Sequence, residues 1–256
     1  MKKYLLFFRL GLAVELAYPV DFIGYVFTTL FVHLTRFLFL NGVFDLTSTL
    51  EGWTRRDVMV AFIFSVLLSS VVDSFTPSIR TFVRYAHTGR LEPYLVQPLD
   101  ARWVMIARWI RPGSLFIFAI IAPIAMLTLS NLNVHPTLLQ AVGGLFALVI
   151  GAIVNIAVMA TWSLTTLVSK RDLPTEFIFR QVMRLNQLPP SLFGYKALTA
   201  LVIFLPIVLT STVPAMVVAR GEYFLLAPML GAAVLVMILF MISFRMTMRV
   251  FDGSGG

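Results

Sequence analysis

Cysteine is absent from the 256 residues of the chain, and only 12% of the residues are charged. Without cysteine the chain can form no disulfide, iron–sulfur cluster or thiolate metal site. Soluble globular proteins carry roughly 25% charged and roughly 45–50% apolar residues, whereas 59% of this chain is apolar. Because so little polar surface remains to keep the fold in water, the composition predicts an integral membrane protein.

The sequence also lacks the short motifs of several enzyme classes. It contains no G-x-x-x-x-G-K-[ST] loop to cradle nucleotide phosphates, and neither G-x-S-x-G nor H-E-x-x-H occurs. The three histidines, His33, His87 and His135, are too far apart for a metal-ligand spacing. We therefore expect no cofactor and no metal in this chain, and we expect any energy source to lie in another chain.

Six apolar stretches are long enough, or nearly so, to cross a bilayer, which requires about 20 residues. Each must be a helix, since lipid offers no partner to unpaired backbone groups. The sequence therefore predicts one all-α membrane domain over 1–256 with six transmembrane helices. The predicted crossings are Phe22–Leu40, Val58–Ile79, Pro112–Ser130, Leu138–Leu167, Ala197–Val218 and Tyr223–Phe244.

The 20 lysines and arginines are distributed unevenly between the two predicted sides of the membrane. Most precede the first crossing or follow the second, fourth and sixth, whereas Arg55, Arg56 and Arg220 lie on the opposite side. Because basic residues in short loops stay in the cytoplasm, both termini and the loop 80–111 are predicted to face the cytoplasm of a prokaryote. Membrane orientation thus accounts for the net charge of +8 without a nucleic acid partner.

Residues 1–19 mix four charged residues with leucine and phenylalanine, and Pro19 and Asp21 break the apolar run that follows. This pattern favours a helix lying on lipid in the cytoplasmic interface over an extension of the first crossing. Within the first crossing, His33 and Arg36 stand three residues apart. Snorkelling of Arg36 to the headgroups is the favoured interpretation, and a role facing a pore is the alternative.

Small residues recur every four positions in the fourth crossing, at Gly143, Ala147, Gly151 and Asn155. They lie along one helical stripe, where small residues let helix backbones approach and an asparagine can hydrogen-bond across the contact. Two interpretations stay open. The stripe is either ordinary helix packing inside the bundle or a subunit interface that slides during transport.

The polar segment Asp172–Pro190 places Glu176, Arg180 and Arg184 four residues apart, on one face of a helix. One interpretation is an amphipathic helix in the cytoplasm, which hydropathy alone favours. The other is a true crossing whose polar face lines a water-filled conduit. An arginine at the bilayer centre costs about 2.5–3.5 kcal/mol on insertion scales and is therefore normally functional. In that case 189–218 is a re-entrant hairpin on the outer face.

The loop 80–111 contains the stretch GRLEPYLVQPL, from Gly89 to Leu99. Gly89 permits a sharp turn, Pro98 should end a short helix near Gln97, and Asp100 can cap the next helix. Within the short helix, three apolar residues at i, i+3 and i+4 form a face suited to a groove on a partner, with an acidic residue beside them as an ion-pair candidate. These residues are Leu91, Tyr94, Leu95 and Glu92.

This stretch resembles the G-x-L-[DE]-x-x-L-x-x-P-L signature of six-span permeases of ABC-2 type transporters. Leu188–Gly221, with Pro206 and Pro214, is similar to the second conserved block of that family. Pro189-Pro190 stands where the family more often has Tyr-Pro, so the outer turn is expected to differ in shape.

The resemblance implies a permease subunit of an ATP-driven exporter that forms a conduit with a second permease, identical or related. Separate ATPase subunits would bind ATP and Mg²⁺ on the cytoplasmic side. The coupling helix that contacts them would comprise Gly89, Leu91, Glu92, Tyr94, Leu95 and Pro98. The resemblance also raises the conduit interpretation of Glu176, Arg180 and Arg184. A membrane-embedded lipid-modifying enzyme and an accessory scaffold without a conduit are the alternatives.

Overall fold

A computed structural model of the chain describes residues 2–50, 52–169, 174–186 and 206–250, and the described chain is almost entirely helical. A hairpin of two-residue strands precedes α3, and 3-10 turns at Pro206–Leu209 and Tyr223–Leu225 precede the last two helices. The predicted helical class is confirmed. The elements are α1 (Lys2–Ala17), α2 (Pro19–Leu46), β1 (Thr49–Leu50), β2 (Trp53–Thr54), α3 (Arg55–His87), α4 (Glu92–Leu95), α5 (Ala101–Ala107), α6 (Gly113–Asn131), α7 (Leu138–Ser169), α8 (Thr175–Leu185), α9 (Thr212–Arg220) and α10 (Leu226–Val250).

Five helices are long and apolar enough to cross a membrane: Pro19–Leu46, Arg55–His87, Gly113–Asn131, Leu138–Ser169 and Tyr223–Arg249. They coincide with five of the six predicted crossings and extend most of them by several residues. The other predicted crossing, Ala197–Val218, lies largely outside the described residues. Its described part is a 3-10 turn followed by the nine-residue α9, so the count of six stays a prediction.

The predicted break near Pro19 separates α1 from α2. Pro19 takes the first position of α2, where its missing N–H costs no hydrogen bond. Glu15 near the end of α1 accepts a hydrogen bond of 3.3 Å from Arg111, and a side chain at Gly11 would collide with the carbonyl of Ile110. The helix over the predicted interfacial segment therefore packs on the turn that leads into α6.

The centre of the bundle is formed by α3 and α7. The long helices differ in the share of the residues of their 18-residue apolar segments that is buried inside the chain. This share is 78% for α3 and 61% for α7, but 0% for α2, 22% for α6 and 17% for the last span. The outer helices thus present apolar faces to lipid or to another subunit. A capping box between Thr54 and Asp57 starts α3, because each side chain satisfies a backbone N–H of the other.

Contacts along α3 fix the directions of its neighbours. Phe64 lies beside Gly144 and Thr76 beside Met159, so α7 runs parallel to α3. Phe82 contacts Phe244 at 6.3 Å between ring centroids, near the far end of α3. We call this end, with the loop 88–111, the loop end of the bundle, and we call the end at which α3 begins the Arg220 end.

Candidate functional site

A polar cavity of about 310 Å³ lies between α2, α3 and α8, inside the otherwise apolar bundle. Serine and threonine hydroxyls from α2 and α3 contribute to its wall. Its lining also contains five arginines, two carboxylates and one histidine, namely Arg36, Arg80, Arg111, Arg180, Arg184, Asp73, Glu176 and His33. Ionisable residues between membrane-spanning helices are costly and are normally kept for function, which makes this cavity the candidate site.

The polar face predicted for α8 is turned into this cavity. Glu176, Arg180 and Arg184 all line it, as does Phe179, which is 2% exposed and lies against Trp162 of α7. Because α8 packs on α7 and forms ion pairs with α3, the arrangement favours the conduit interpretation over a helix lying free in the cytoplasm.

Two ion pairs join α8 to α3, and a third lies within α8. Arg80 contacts Glu176 at 3.3 Å, and Arg180 contacts Glu176 at 3.0 Å and Asp73 at 3.6 Å. The order along the two helices is opposite, so α8 runs antiparallel to α3 and begins at the loop end. Arg180 is shared between two carboxylates, and it can strengthen one contact as it weakens the other.

The end of α8 meets the beginning of α9 within the bundle. The hydroxyl of Ser211 donates a 2.6 Å hydrogen bond to the carbonyl of Asn186, and the amide of Asn186 donates to Thr210 Oγ1 at 3.3 Å. α9 then ends at Arg220, which donates to Asp57 at the opposite end of the bundle, at 3.1 and 2.5 Å. Together α8 and α9 therefore reach from one end of the bundle to the other, and residues 187–205 between them lie outside the described part of the chain.

The stripe of small residues on α7 packs against the turn that precedes α9. Asn155 donates to Thr210 Oγ1 at 2.9 Å, and a Cβ on Gly151 would come within 2.9 Å of the Thr210 carbonyl. Ala147 is fully buried, and Gly143 faces a side chain of α9. These contacts lie within one chain and favour the packing interpretation over a subunit interface.

The turns of the predicted coupling loop follow the expectations from sequence. Gly89 has φ +67°, a conformation that glycine adopts without strain. Asp100 caps α5 by accepting from the backbone N–H of Arg102, and its hydrogen bond with the Arg102 side chain lowers the pKa of this carboxyl. The short helix itself ends at Leu95, two residues earlier than Pro98 alone suggested.

The orientation of this short helix differs from the expectation. Leu91 is fully buried, so the expectation that its side chain contacts a partner is corrected. Tyr94 lies on Trp109, with ring centroids 5.0 Å apart, and Leu95 packs against the same core. The apolar face turns towards the core of the chain because that is the nearest apolar surface. Glu92 and Pro98 are exposed, and Val96 is 83% exposed.

Sequence reasoning missed the partners of α8 and did not favour the cavity as the environment of Arg36. Asp73 and Arg80 pair with α8 across the cavity, and Arg36 lines the cavity, which agrees with the alternative of a role facing a pore. The available signal was the presence of single charged residues within or beside apolar stretches, since each needs a polar environment in a membrane.

Comparison with protein families gives one match, to a family described as ABC-2 family transporter protein, over residues 30–255. Neither curated proteins nor solved structures gave a match. The matched range contains most of the lining of the polar cavity, α8 with α9, and the loop at 88–111, and it extends over most of the chain. The chain belongs to the ABC-2 family of transporter proteins.

Proposed function

We propose that the chain is the permease subunit of an ATP-driven exporter and forms a substrate path with a second permease subunit, identical or related. The polar cavity carries the proposal, because a charged lining within an apolar bundle suits a hydrophilic path. The family supports a transporter component over an enzyme or a scaffold and implies association with ABC ATPase subunits. ATP and Mg²⁺ would bind to those subunits on the cytoplasmic side, at the loop end.

The ion pairs on α8 supply an element that can change between two arrangements. Arg180 holds Asp73 on α3 and Glu176 on its own helix. A movement of α8 along α3 would break the contacts of Arg180 with Asp73 and of Glu176 with Arg80. The pair of Arg180 and Glu176, both on α8, would stay intact, so α8 keeps part of its charge compensation in either arrangement. Alternating access of this kind requires that substrate and nucleotide stabilise different arrangements.

The loop end provides a connection from the ATPase to α3. Tyr94 packs against Tyr85 of α3 at 5.9 Å between ring centroids and against Trp109 beyond α5 at 5.0 Å. A push on the exposed surface of α4 would therefore reach α3 through close-packed rings. In this proposal Glu92, Val96 and Pro98 touch the ATPase, while Leu91, Tyr94 and Leu95 hold the coupling helix in place.

Cysteine accessibility tests the conduit. Because the sequence contains no native cysteine, each single-cysteine variant has one thiol that can be labelled. Ser69→Cys places a thiol in the cavity, Thr88→Cys places one on the exposed loop, and Leu38→Cys places one on an apolar surface that is 59% exposed. With the ATPase present, we expect the rate of labelling of Ser69→Cys by a membrane-impermeant thiol reagent to change severalfold when nucleotide is added. Thr88→Cys should label at a constant rate and Leu38→Cys hardly at all. A constant, full rate at Ser69→Cys would contradict the conduit.

Co-purification tests the coupling helix. Val96→Asp changes a side chain that is 83% exposed, so the fold should be retained. Loss of a buried valine contact, about 1.5–3 kcal/mol, should weaken ATPase binding about tenfold or more and reduce stimulated ATP hydrolysis. Leu46→Asp is the matched control, at 92% exposure and at the Arg220 end. Equal binding by Val96→Asp and the unmodified chain would show that α4 does not contact the ATPase.

A further inference from the structure

A second cavity adjoins the polar one. It has a volume of about 480 Å³, lies between α2, α3 and α6, and has mainly apolar walls, including Phe31, Phe62 and Ile124. His33 lines both cavities, so they meet at this side chain. Both volumes fall in the range of about 300–1,000 Å³ that is usual for ligand sites. Phe27 and Phe31 on the α2 wall are 69% and 60% exposed, which opens the apolar cavity towards the surrounding lipid.

The polar cavity holds two positive charges that the described part of the chain leaves uncompensated. Arg80 and Arg180 pair with carboxylates of the cavity, and Arg111 pairs with Glu15. Arg184, in contrast, donates to the neutral amide of Gln181 at 3.1 Å. No carboxylate among the described residues lies within ion-pair distance of Arg36 or Arg184. The electrostatic influence that Arg184 exerts on Arg36 is repulsive.

A polar atom of His33 is also left without a partner. Its Nδ1 is buried and has no hydrogen-bond partner within the described ranges. Buried polar atoms are normally hydrogen-bonded, and those that are not often mark the place of a ligand or water. His33 and Arg36 lie one turn apart on α2. The unpaired atoms of the cavity therefore cluster where the polar and apolar cavities join.

We propose that the two cavities form one binding site for an anionic amphiphile. A phosphate or carboxylate group binds between Arg36 and Arg184, and an attached hydrocarbon chain occupies the apolar cavity past His33. This inference rests on the proposed function, since the bound amphiphile is then the exported substrate. Both parts of the site support this class of ligand. A small soluble anion would leave the apolar cavity unfilled, a neutral lipid would leave the arginines unpaired, and a cation would be repelled.

Binding to the full-length chain in phosphatidylcholine nanodiscs tests the proposal with three probes. Oleoyl lysophosphatidic acid carries both parts of the proposed ligand, monooleoylglycerol lacks the phosphate, and glycerol 3-phosphate lacks the chain. We expect lysophosphatidic acid to bind at least about tenfold more tightly than either of the others, because hydrogen bonds between charged groups are the strongest polar contacts. Equal affinity for glycerol 3-phosphate would indicate a free-anion site, and equal affinity for monooleoylglycerol an uncharged lipid site. Either result would overturn the proposal.

Variants of the lining locate the site. Arg36→Gln and Arg184→Gln should each weaken lysophosphatidic acid binding about tenfold or more and leave monooleoylglycerol binding unchanged. Ile124→Trp, which fills the apolar cavity, should weaken binding of both lipids. Arg249→Gln is the matched control, since this exposed arginine of α10 lies outside both cavities. Unchanged binding in both arginine variants would place the anion elsewhere.

Two further readouts keep the results separate from folding and from the proposed conduit. Removing an uncompensated charge should leave the melting temperature of Arg36→Gln equal to or above that of the unmodified chain, so a loss of binding would not reflect unfolding. Nucleotide-dependent labelling of Ser69→Cys reports on the conduit alone. If that labelling persists while the arginine variants bind normally, the conduit stands and the substrate class is wrong. Arginine-dependent binding without nucleotide-dependent labelling would contradict the conduit and leave the anionic amphiphile site in place.

Discussion

Two aspartates of α3 sit in opposite kinds of environment. Asp57 at the Arg220 end accepts two hydrogen bonds from Arg220, at 3.1 and 2.5 Å, and also serves the capping box with Thr54. Asp73 at the cavity has one ion-pair contact, of 3.6 Å, with Arg180, and Arg180 also serves Glu176. The first group has a single satisfied geometry, whereas the second shares its partners and faces open space.

This difference separates a firmly held part of the bundle from a part that can move. We call the firmly held contacts of α9, and of the turn before it, with α3 and α7 the clamp. The pair of Asp57 and Arg220 ties α9 to the start of α3. The hydrogen bond from Asn155 to Thr210 and the close approach of Gly151 to the Thr210 carbonyl tie the preceding turn to α7. The Arg220 end is thus held on two sides. Around the cavity, Arg180 is shared between Asp73 and Glu176, at 3.6 and 3.0 Å, and its side chain is 52% exposed, so a change of arrangement there costs less. Motion is therefore expected at the loop end and in α8, with α9 as the fixed part.

The largest loss of stability is expected for Asp57→Asn. It leaves Arg220 without its buried partner and weakens the cap of α3. Breaking a fully buried ion pair costs about 3–5 kcal/mol, and we expect about 2–3 kcal/mol here because the Arg220 side chain is 42% exposed. Thermal unfolding in detergent should show the effect. The control is Asp45→Asn in the exposed pair with Arg55, whose loss should cost about 0–1 kcal/mol. Equal melting temperatures for the two variants would show that Asp57 and Arg220 do not hold α9 firmly.

A somewhat smaller loss is expected for Gly151→Ala, which tests the other side of the clamp. The new methyl group would lie 2.9 Å from the Thr210 carbonyl and 3.2 Å from Met229. Overpacking of this kind typically costs about 1–3 kcal/mol. Gly231→Ala on α10 is the control, since a Cβ there meets nothing within 4 Å and should be neutral or slightly stabilising. Similar unfolding curves for both variants would mean that the turn before α9 is not tightly held.

Arg180→Gln should change stability less and activity more. The side chain is 52% exposed, so loss of its pairs should cost at most about 1 kcal/mol. Without Arg180, however, Asp73 loses its ion-pair partner in the cavity, and Glu176 keeps only Arg80. We expect substrate-stimulated ATP hydrolysis by the assembled transporter to fall about tenfold while the melting temperature stays close to that of the unmodified chain. If Arg180→Gln were as unstable as Asp57→Asn, the ion pairs of the cavity would be firmly held contacts and not a part that can move.

The smallest effect is expected for Asp100→Ala, where a carboxylate pairs with arginine outside the membrane-spanning helices. Loss of a helix cap costs about 0.5–2 kcal/mol, and an exposed position should be near the lower limit. Asp100→Ser should restore most of it. Arg102 lowers the pKa of Asp100, so its stabilisation is present above the ordinary aspartate pKa of about 3.9 and is lost as the pH falls through the lowered value. Hydrogen exchange in α5 measures both effects; equal protection in Asp100→Ala and the unmodified chain would contradict the cap.

Local features of the fold could be predicted because their causes lie within a few residues. Gly89 and Asp100 act on their immediate neighbours, and the polar face of α8 follows from a spacing of four residues. The orientation of Leu91 could not be predicted in this way. An apolar face at i, i+3 and i+4 fits an ATPase groove and the core of its own chain equally well, and only the placement of α3 and α5 beside α4 decides between them.

The sequence by itself determined a helical membrane protein, five of its long apolar helices and the likeness to ABC-2 permeases, because composition and hydropathy depend on residue type alone. Tertiary structure decided which charges meet. Asp57 and Arg220 are separated by 163 residues, and Arg80 and Glu176 by 96, so no local pattern joins them. It also decided that Arg36 and Arg184 share a cavity without a carboxylate partner in the described chain. Ionic partners in a bundle are set by helix packing, and that packing depends on contacts summed over the whole chain.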